Sequence, residues 1–281
     1  MLKLKHGIVE LYKKVATSIP PDVEEALRGA CEAEPEGKGK EILKSILTEI
    51  SRSRKEQGPV CQDTGIPTFV VKIPPSVDQK KVKEIILEAT REATKSIPLR
   101  ANAIDIITNN NSGDNTGRYF PVIYIEESEN SLLTVDLLFK GYECEELSQT
   151  YRLPDADIGA ERNLEGVKRI VLDAVRRAGG KGCPPYSIGV GIGASRDQVV
   201  VLSTKQLFRR CYETHPHATI AQLERELLEE INALGIGPMG EGGKTTAINV
   251  SIDFAHRHRD TFLVDVSISC WANRRGKLIW G

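Results

Sequence analysis

Apolar positions recur at helical spacing through the first third of the chain. Ile42, Leu43, Ile46, Leu47 and Ile50 fall three or four residues apart between charged residues, predicting a helix that gives way to the polar run 51–58. The pattern then changes. A turn-rich CQDTGIP is followed by Phe69, Val70 and Val71, which predict a short strand entered from a loop. Val82, Ile85, Ile86 and Ala89 mark a second amphipathic helix, and 100–117, dense in Asn, Asp and Gly, reads as a long polar loop. The β-rich runs 120–125 and 132–139, separated by the acidic turn EESEN, predict a hairpin. Helices are predicted over 164–178, closed by Gly179 and Gly180, and over 199–212 and 220–234; strands are predicted over 187–193, 247–252 and 262–269. No internal repeat or linker interrupts this order. The expected class is α/β, a single domain with a mixed β-sheet flanked by helices.

Composition narrows the function classes. In 281 residues, 38 Lys and Arg nearly balance 39 Asp and Glu, so the basic face that a phosphate backbone demands is missing and no nucleic-acid partner is expected. Lys3, Lys5, Lys13 and Lys14 interrupt the N-terminal apolar pairs, and no run approaches the ~20 apolar residues of a membrane span. A cytoplasmic location without membrane attachment is the expectation.

Six cysteines stand far apart: Cys31, Cys61, Cys144, Cys183, Cys211 and Cys270. In a chain this long, reduced thiols that pack or bind metal are expected rather than a disulfide scaffold. Cys61, Cys183 and Cys270 each lie where a loop meets a predicted strand, among Gly, Pro or small polar residues; the other three lie in helical surroundings or, for Cys144, beside three glutamates that disfavour the thiolate. Packing and metal ligation remain equally open on spacing alone, since free Cys is among the most buried residue types. Without a CxxC pair, a zinc ribbon or ferredoxin-type run is disfavoured.

Two glycine patterns imitate nucleotide loops. Gly189, Gly191 and Ala194 satisfy GxGxxG/A, yet RRCYETHPH lies where a strand ending in an acidic residue should follow. Gly243-Lys244-Thr245 resembles the end of a phosphate loop, but Pro238 occupies the position of its first glycine. Such glycines are expected to let backbone approach a bound group closely.

Taken together, CQDTG (61–65), KGCPP (181–185), IGVGIG (188–193), GIGPMGEGGKTTA (235–247), the RH pair Arg257-His258 and SCWANRR (269–275) resemble, in order, the N-terminal domain of class I fumarases and L-tartrate dehydratases. The resemblance covers nearly all of the chain and makes 1–281 the cluster-binding domain. It implies a four-iron four-sulfur cluster at the loop–strand junctions, held by Cys61, Cys183 and Cys270, with one iron lacking a protein ligand and free to act as a Lewis acid. Asp63 then matches the family's catalytic acid, although a solvated loop Asp would show the same spacing. Gln62, Arg100, Gly141 and His258 match substrate-binding positions; an arginine fork suits a carboxylate and a histidine suits hydrogen bonding near neutral pH. KGYECEE (140–146) departs from the family's glycine-rich turn at Gly141.

The implied activity is hydro-lyase chemistry on a small dicarboxylate: reversible hydration of fumarate to L-malate, or alternatively dehydration of L-tartrate. Fused family members continue past CWANRR, so a separate beta subunit carrying the complementary C-terminal domain is expected in a hetero-oligomer. A cluster-carrying sensor without turnover is the competing class, and would need no Asp63, Arg100 or His258.

Overall fold

The computed structural model describes residues 2–281. In chain order the helices are α1 (Leu2–Thr17), α2 (Pro21–Ala33), α3 (Lys38–Glu56), α4 (Gln79–Ser96), α5 (Tyr142–Leu147), α6 (Leu164–Ala178), α7 (Arg196–Gln206) and α8 (Ala218–Asn232). The strands are β1 (Ile66–Ile73), β2 (Val122–Glu127), β3 (Leu133–Lys140), β4 (Gln149–Arg152), β5 (Tyr186–Ile192), β6 (Ala247–Phe254), β7 (Leu263–Ser269) and β8 (Arg274–Trp280). The α/β class expected from the sequence is found, with the strands divided between two mixed sheets. No helix among the described residues is long and apolar enough to cross a membrane.

Two compact units are formed. The first comprises Met1–Pro20, Glu49–Tyr142 and Ala272–Gly281. Its sheet runs β2-β1-β3-β8, with β1 parallel to β2 and antiparallel to β3, which is antiparallel to β8. Alternate residues Phe69, Val71 and Ile73 of β1 and Leu133, Val135, Leu137 and Phe139 of β3 are buried with the apolar stripes of α1 and α4. Tyr12 satisfies its buried hydroxyl on Thr90 Oγ1 at 2.8 Å while its ring meets Phe69 and Phe139, each at 5.7 Å between centroids.

The predicted hairpin is not formed, because β1 lies between its two strands. β1 is buried at every position from Pro67 to Val71, as suits a central strand, whereas β2 is only partly buried and takes the edge. The intervening segment is long enough to step over one strand, and Ser128 Oγ, donating to Leu132 O at 2.9 Å, holds it closed.

The second unit comprises Pro21–Thr48 and Glu143–Trp271. Its sheet runs β4-β7-β5-β6, with β5 parallel to β6 and antiparallel to β7. The apolar stripes of α6 and α8 share one core with Ile188, Val190, Val250, Ile252, Val264, Val266 and Ile268. α6 keeps its predicted bounds because both ends are capped: Asn163 Oδ1 accepts the Gly166 N–H at 2.8 Å, and Gly179 takes the left-handed φ of 52°.

The opposite sheet face meets α7 through small and polar groups. Ser203 Oγ donates to the buried Asp265 carboxylate, which Thr150 also reaches at 2.5 Å. A Cβ at Gly189 would lie 2.1 Å from Ser203 O, and one at Gly191 would lie 2.3 Å from Val199 O. These two glycines therefore admit α7 to the sheet, and the expectation that they serve a bound group is corrected. The same helix ends at Gln206 rather than 212. Beyond it the backbone tightens to turn bonds from Leu207, Phe208 and Arg209 N–H to the carbonyls three residues earlier, and Arg209 bonds Glu224 at 2.6 Å and Glu213 O at 2.8 Å.

Replacing Gly191→Ala drives a methyl group into helix backbone and is expected to destabilise the protein by about 2 kcal/mol or more. Gly29 in α2 has open space at its Cβ, so Gly29→Ala should instead stabilise by up to about 1 kcal/mol. Denaturant unfolding of both variants checks the pair; equal midpoints would refute the packing argument.

Candidate functional site

The first unit assembles Cys61, Gln62, Asp63, Arg100 and Gly141. Cys61 and Asp63 are half-buried, and Gln62 and Arg100 are exposed. Asp63 Oδ1 accepts the Gly65 N–H at 2.9 Å and the Asn102 amide at 3.2 Å. Its Oδ2 accepts the Tyr142 N–H, at the start of α5, at 3.1 Å. Asp63 O accepts from Arg274 Nη2 at 2.7 Å. Asp63 is therefore fixed from three segments of the chain and is no freely solvated loop carboxylate. One residue on, Thr64 Oγ1 accepts the Arg100 N–H at 2.7 Å, which seats the arginine beside the same loop.

Gly65 makes this arrangement possible. It has φ of 72°, and a Cβ there would stand 2.3 Å from Lys140 O and 3.0 Å from Gly141 N. The strands that follow and precede these residues, β1 and β3, pair directly, with Ile66 opposite Lys140. In the divergent KGYECEE segment, Tyr142–Leu147 forms α5, a helix absent from the sequence expectation, and Gly141 sits half-buried before it.

Sequence reasoning overlooked Asn102 and Arg274. Arg274 is 2% exposed, lies over the Phe139 ring at 5.5 Å, and has a buried Nε without a hydrogen-bond partner. The signal lay in CWANRR, where an arginine pair following small residues opens β8, which the sequence pattern did not predict.

The second unit holds Cys183, Cys270 and His258. Cys183 has φ of 58°, rare for a residue with a side chain, and its carbonyl accepts the Trp271 N–H at 3.0 Å. That bond ties the Cys183 loop to the residue next to Cys270, at the end of β7. Both thiols are half-buried, whereas Cys31 and Cys144 are buried. Tyr186 bridges the same loop, donating to Gly179 O at 2.8 Å and accepting the Gly182 N–H at 3.1 Å. Burial pushes its phenol far above the ordinary range, and the neighbouring Cys144, Cys183 and Cys270 add to the effect. Cys144, set apart by its glutamates in the sequence, thus faces the same tyrosine as the two loop cysteines; its thiol donates to Gly182 O at 3.5 Å.

The glycine-rich 235–243 segment lies against the Cys183 loop. Met239 N donates to Pro184 O at 2.8 Å, and a Cβ at Gly240 would stand 2.5 Å from Gly180 Cα. Glu34, 2% exposed, anchors the segment's end by accepting the Lys244 N–H at 2.5 Å and the Thr245 hydroxyl at 2.8 Å. Gly240 thus gives the segment its close approach to the cysteine loop, whereas a Cβ at Gly243 would meet the Glu34 carboxylate.

His258 is exposed, and its Nδ1 accepts the Asp260 N–H at 3.1 Å. Its loop is shaped by Arg257, whose Nη1 donates to the carbonyls of His258 (3.1 Å), Arg259 (2.7 Å) and Thr261 (3.1 Å) while stacking at 4.8 Å on Phe262. His256 lines a hollow of about 580 Å³ with Phe254, Arg259 and Phe262, a hollow that His258 does not line.

The donor chemistry fits an iron–sulfur group in part: the second unit pairs two half-buried thiols on one hydrogen-bonded junction, and the first carries Cys61 on the loop of Asp63. Among the described residues, no group of three or more His, Cys, Asp and Glu stands close enough together to hold a metal ion.

Comparison with known proteins gives the family. The fumarate hydratase (Fumerase) family model matches residues 5–279. A protein provisionally named fumarate hydratase class I from Geobacillus stearothermophilus is 39% identical over 279 residues, which are 98% of this chain and 54% of that protein. The chain thus spans about half the length of that relative. A protein provisionally named L(+)-tartrate dehydratase subunit alpha from Methanocaldococcus jannaschii is 37% identical over 98% of this chain and 96% of its own length. The L(+)-tartrate dehydratase subunit alpha of Escherichia coli K12 is 33% identical over 99% of this chain and 90% of its own. With the match running from near the start to near the end and every motif of the site inside it, the chain belongs to the fumarate hydratase (Fumerase) family.

Proposed function

We propose that this chain is the alpha-type, cluster-binding part of a cytoplasmic hydro-lyase that interconverts fumarate and L-malate together with a beta-type subunit. The observation that carries the reading is the CQDTG loop, where Asp63 is held by three N–H donors and Thr64 seats Arg100 alongside. A binding or sensor protein has no use for a fixed carboxylate next to a carboxylate clamp. The family match and the 39% identity to a protein named for this activity support the same reading.

In dehydration, Asp63 gives its proton to the departing hydroxyl at C2 of malate, so that water leaves; in hydration it takes a proton from the incoming water. The proton at C3 needs a base, which this reading assigns to the beta-type subunit. Arg100 binds one substrate carboxylate through its planar fork. Gln62 and the half-buried backbone at Gly141 hold the substrate's oxygens, and His258 takes the substrate hydrogen bond that the family resemblance assigns to it. Arg274, 2% exposed and bonded to Asp63 O, is a positioning residue.

Cys61, Cys183 and Cys270 would hold a four-iron four-sulfur cluster, and its iron without a protein ligand supplies Lewis acidity toward the substrate's hydroxyl and carboxylate when bound. Iron and acid-labile sulfide are expected in the anaerobically purified protein and should be lost in Cys61→Ser, Cys183→Ser and Cys270→Ser. A full complement in any of those variants would reassign that ligand.

Dehydration of L-tartrate is a second reading, favoured by relatives of nearly matching length that carry that name. Tartrate adds one hydroxyl, for which the matched motifs name no dedicated polar side chain, leaving Glu143 or the beta-type subunit to supply one. Steady-state kcat/KM of the complex with its complementary subunit should be at least about tenfold higher for L-malate than for L-tartrate, within the discrimination that a single unpaired hydroxyl brings. A higher value for L-tartrate would move the chain to the second reading, and turnover of neither would end both.

A further inference from the structure

In the first unit, the segment between Arg100 and Phe120 has no regular secondary structure, yet it is heavily bonded. Asn115, 1% exposed, accepts the Asn102 N–H at 2.7 Å and donates to Arg100 O at 2.9 Å. Asn111 donates to Ala101 O at 2.8 Å, and Ser112 N to Ala103 O at 2.9 Å. Its tip is a turn closed by Asp105: the backbone pairs Asp105 N with Asn110 O at 2.9 Å and Asn109 N with Asp105 O at 2.8 Å. Asp105 Oδ1 meanwhile accepts the N–H groups of Thr108 (2.8 Å) and Ile107 (3.0 Å) and the Thr108 hydroxyl (3.0 Å).

This scaffold presents apolar side chains to solvent. Ile106 is 96% exposed, Ile107 94% and Tyr119 83%, and all three line a hollow of about 820 Å³ with Ile104 and Phe120. A single exposed isoleucine needs no explanation, but two adjacent ones at full exposure, on a turn fixed by its own hydrogen bonds and contiguous with further apolar lining, form an interaction surface. Its place indicates what covers it. The root of the segment is Arg100 and Asn102, and Asn102 bonds Asp63 at 3.2 Å, so the segment that carries the surface springs from the candidate site. The Geobacillus relative carries nearly half of its length outside the matched region, and the two other relatives are named as alpha subunits.

We propose that the apolar tip around Ile106 and Ile107 is the docking surface for the complementary, beta-type half of the enzyme, seating it beside Asp63 and Arg100. This rests on the two-part hydro-lyase reading and assigns its contact. Apolar anchors that enter a pocket on a partner carry most of an interface's affinity. The rigid turn adds to this by leaving little ordering to be done on binding.

The test uses the full chain co-expressed with its complementary subunit, with affinity measured by analytical ultracentrifugation and folding by thermal unfolding. The double variant I106D/I107D should unfold at the wild-type temperature yet bind the subunit about 30-fold or more weakly. Leu2→Asp, at another exposed apolar position of the same unit, should bind as the wild type does. Binding of I106D/I107D within about twofold of wild type would overturn the assignment. So would loss of self-association with the subunit still bound, which gives the surface to a second copy of this chain. A wild-type chain that turns over fully alone and has no affinity for the subunit would instead overturn the two-part reading beneath it.

Discussion

The candidate acid depends on one close passage of backbone past backbone. Where β1 begins and β3 ends, Gly65 lies so near Lys140 O that no side chain fits between them. That approach brings the Tyr142 N–H to Asp63 while the chain reversal at Gly65 supplies a second donor from its own backbone. Asn102 adds the third, and Arg274 holds the main chain from the other side. Each of these groups belongs to a different stretch of sequence, so the carboxylate is positioned by the closure of the whole first unit and not by its loop alone.

The second unit solves a related problem for its thiols. Cys183 occupies a left-handed backbone position, and the loop around it is clasped by Trp271, Tyr186 and a glycine-rich segment pinned on the buried Glu34. Polar atoms buried in this way are costly unless bonded, and here most are bonded to backbone from distant segments. The same principle shapes the His258 loop, where one arginine gathers three carbonyls. In both units the candidate site residues are exposed or half-buried.

How much of this was legible follows from which signals are local. The bounds of α6 were readable because Asn163 and Gly179 are neighbours of the helix they cap. The strands β2 and β3 were readable as elements, but their pairing was not, since the insertion of β1 between them is decided by burial across the sheet. α5 was hidden because Tyr142–Leu147 has only Cys144 and Leu147 as apolar anchors, and β8 because its alternation starts with two arginines. CQDTG located the candidate acid through resemblance, and nothing in its spacing revealed Asn102 or Arg274 as the groups that fix it. Gly189 and Gly191 suggested a bound group in the sequence, whereas their room is filled by the backbone of α7.

The central claim is that Asp63 moves a proton and does not merely hold substrate or shape the loop. Asp63→Asn keeps the side chain's size and one acceptor oxygen, so the most direct measurement is the kinetics of this variant in the assembled enzyme, with iron content and thermal unfolding followed alongside. The account predicts that kcat falls by about 10²–10⁴-fold while KM and iron content stay near wild type, with a modest drop in unfolding temperature because the new amide NH2 faces an N–H that the carboxylate accepts. A raised KM with kcat unchanged would contradict it and make Asp63 a binding residue.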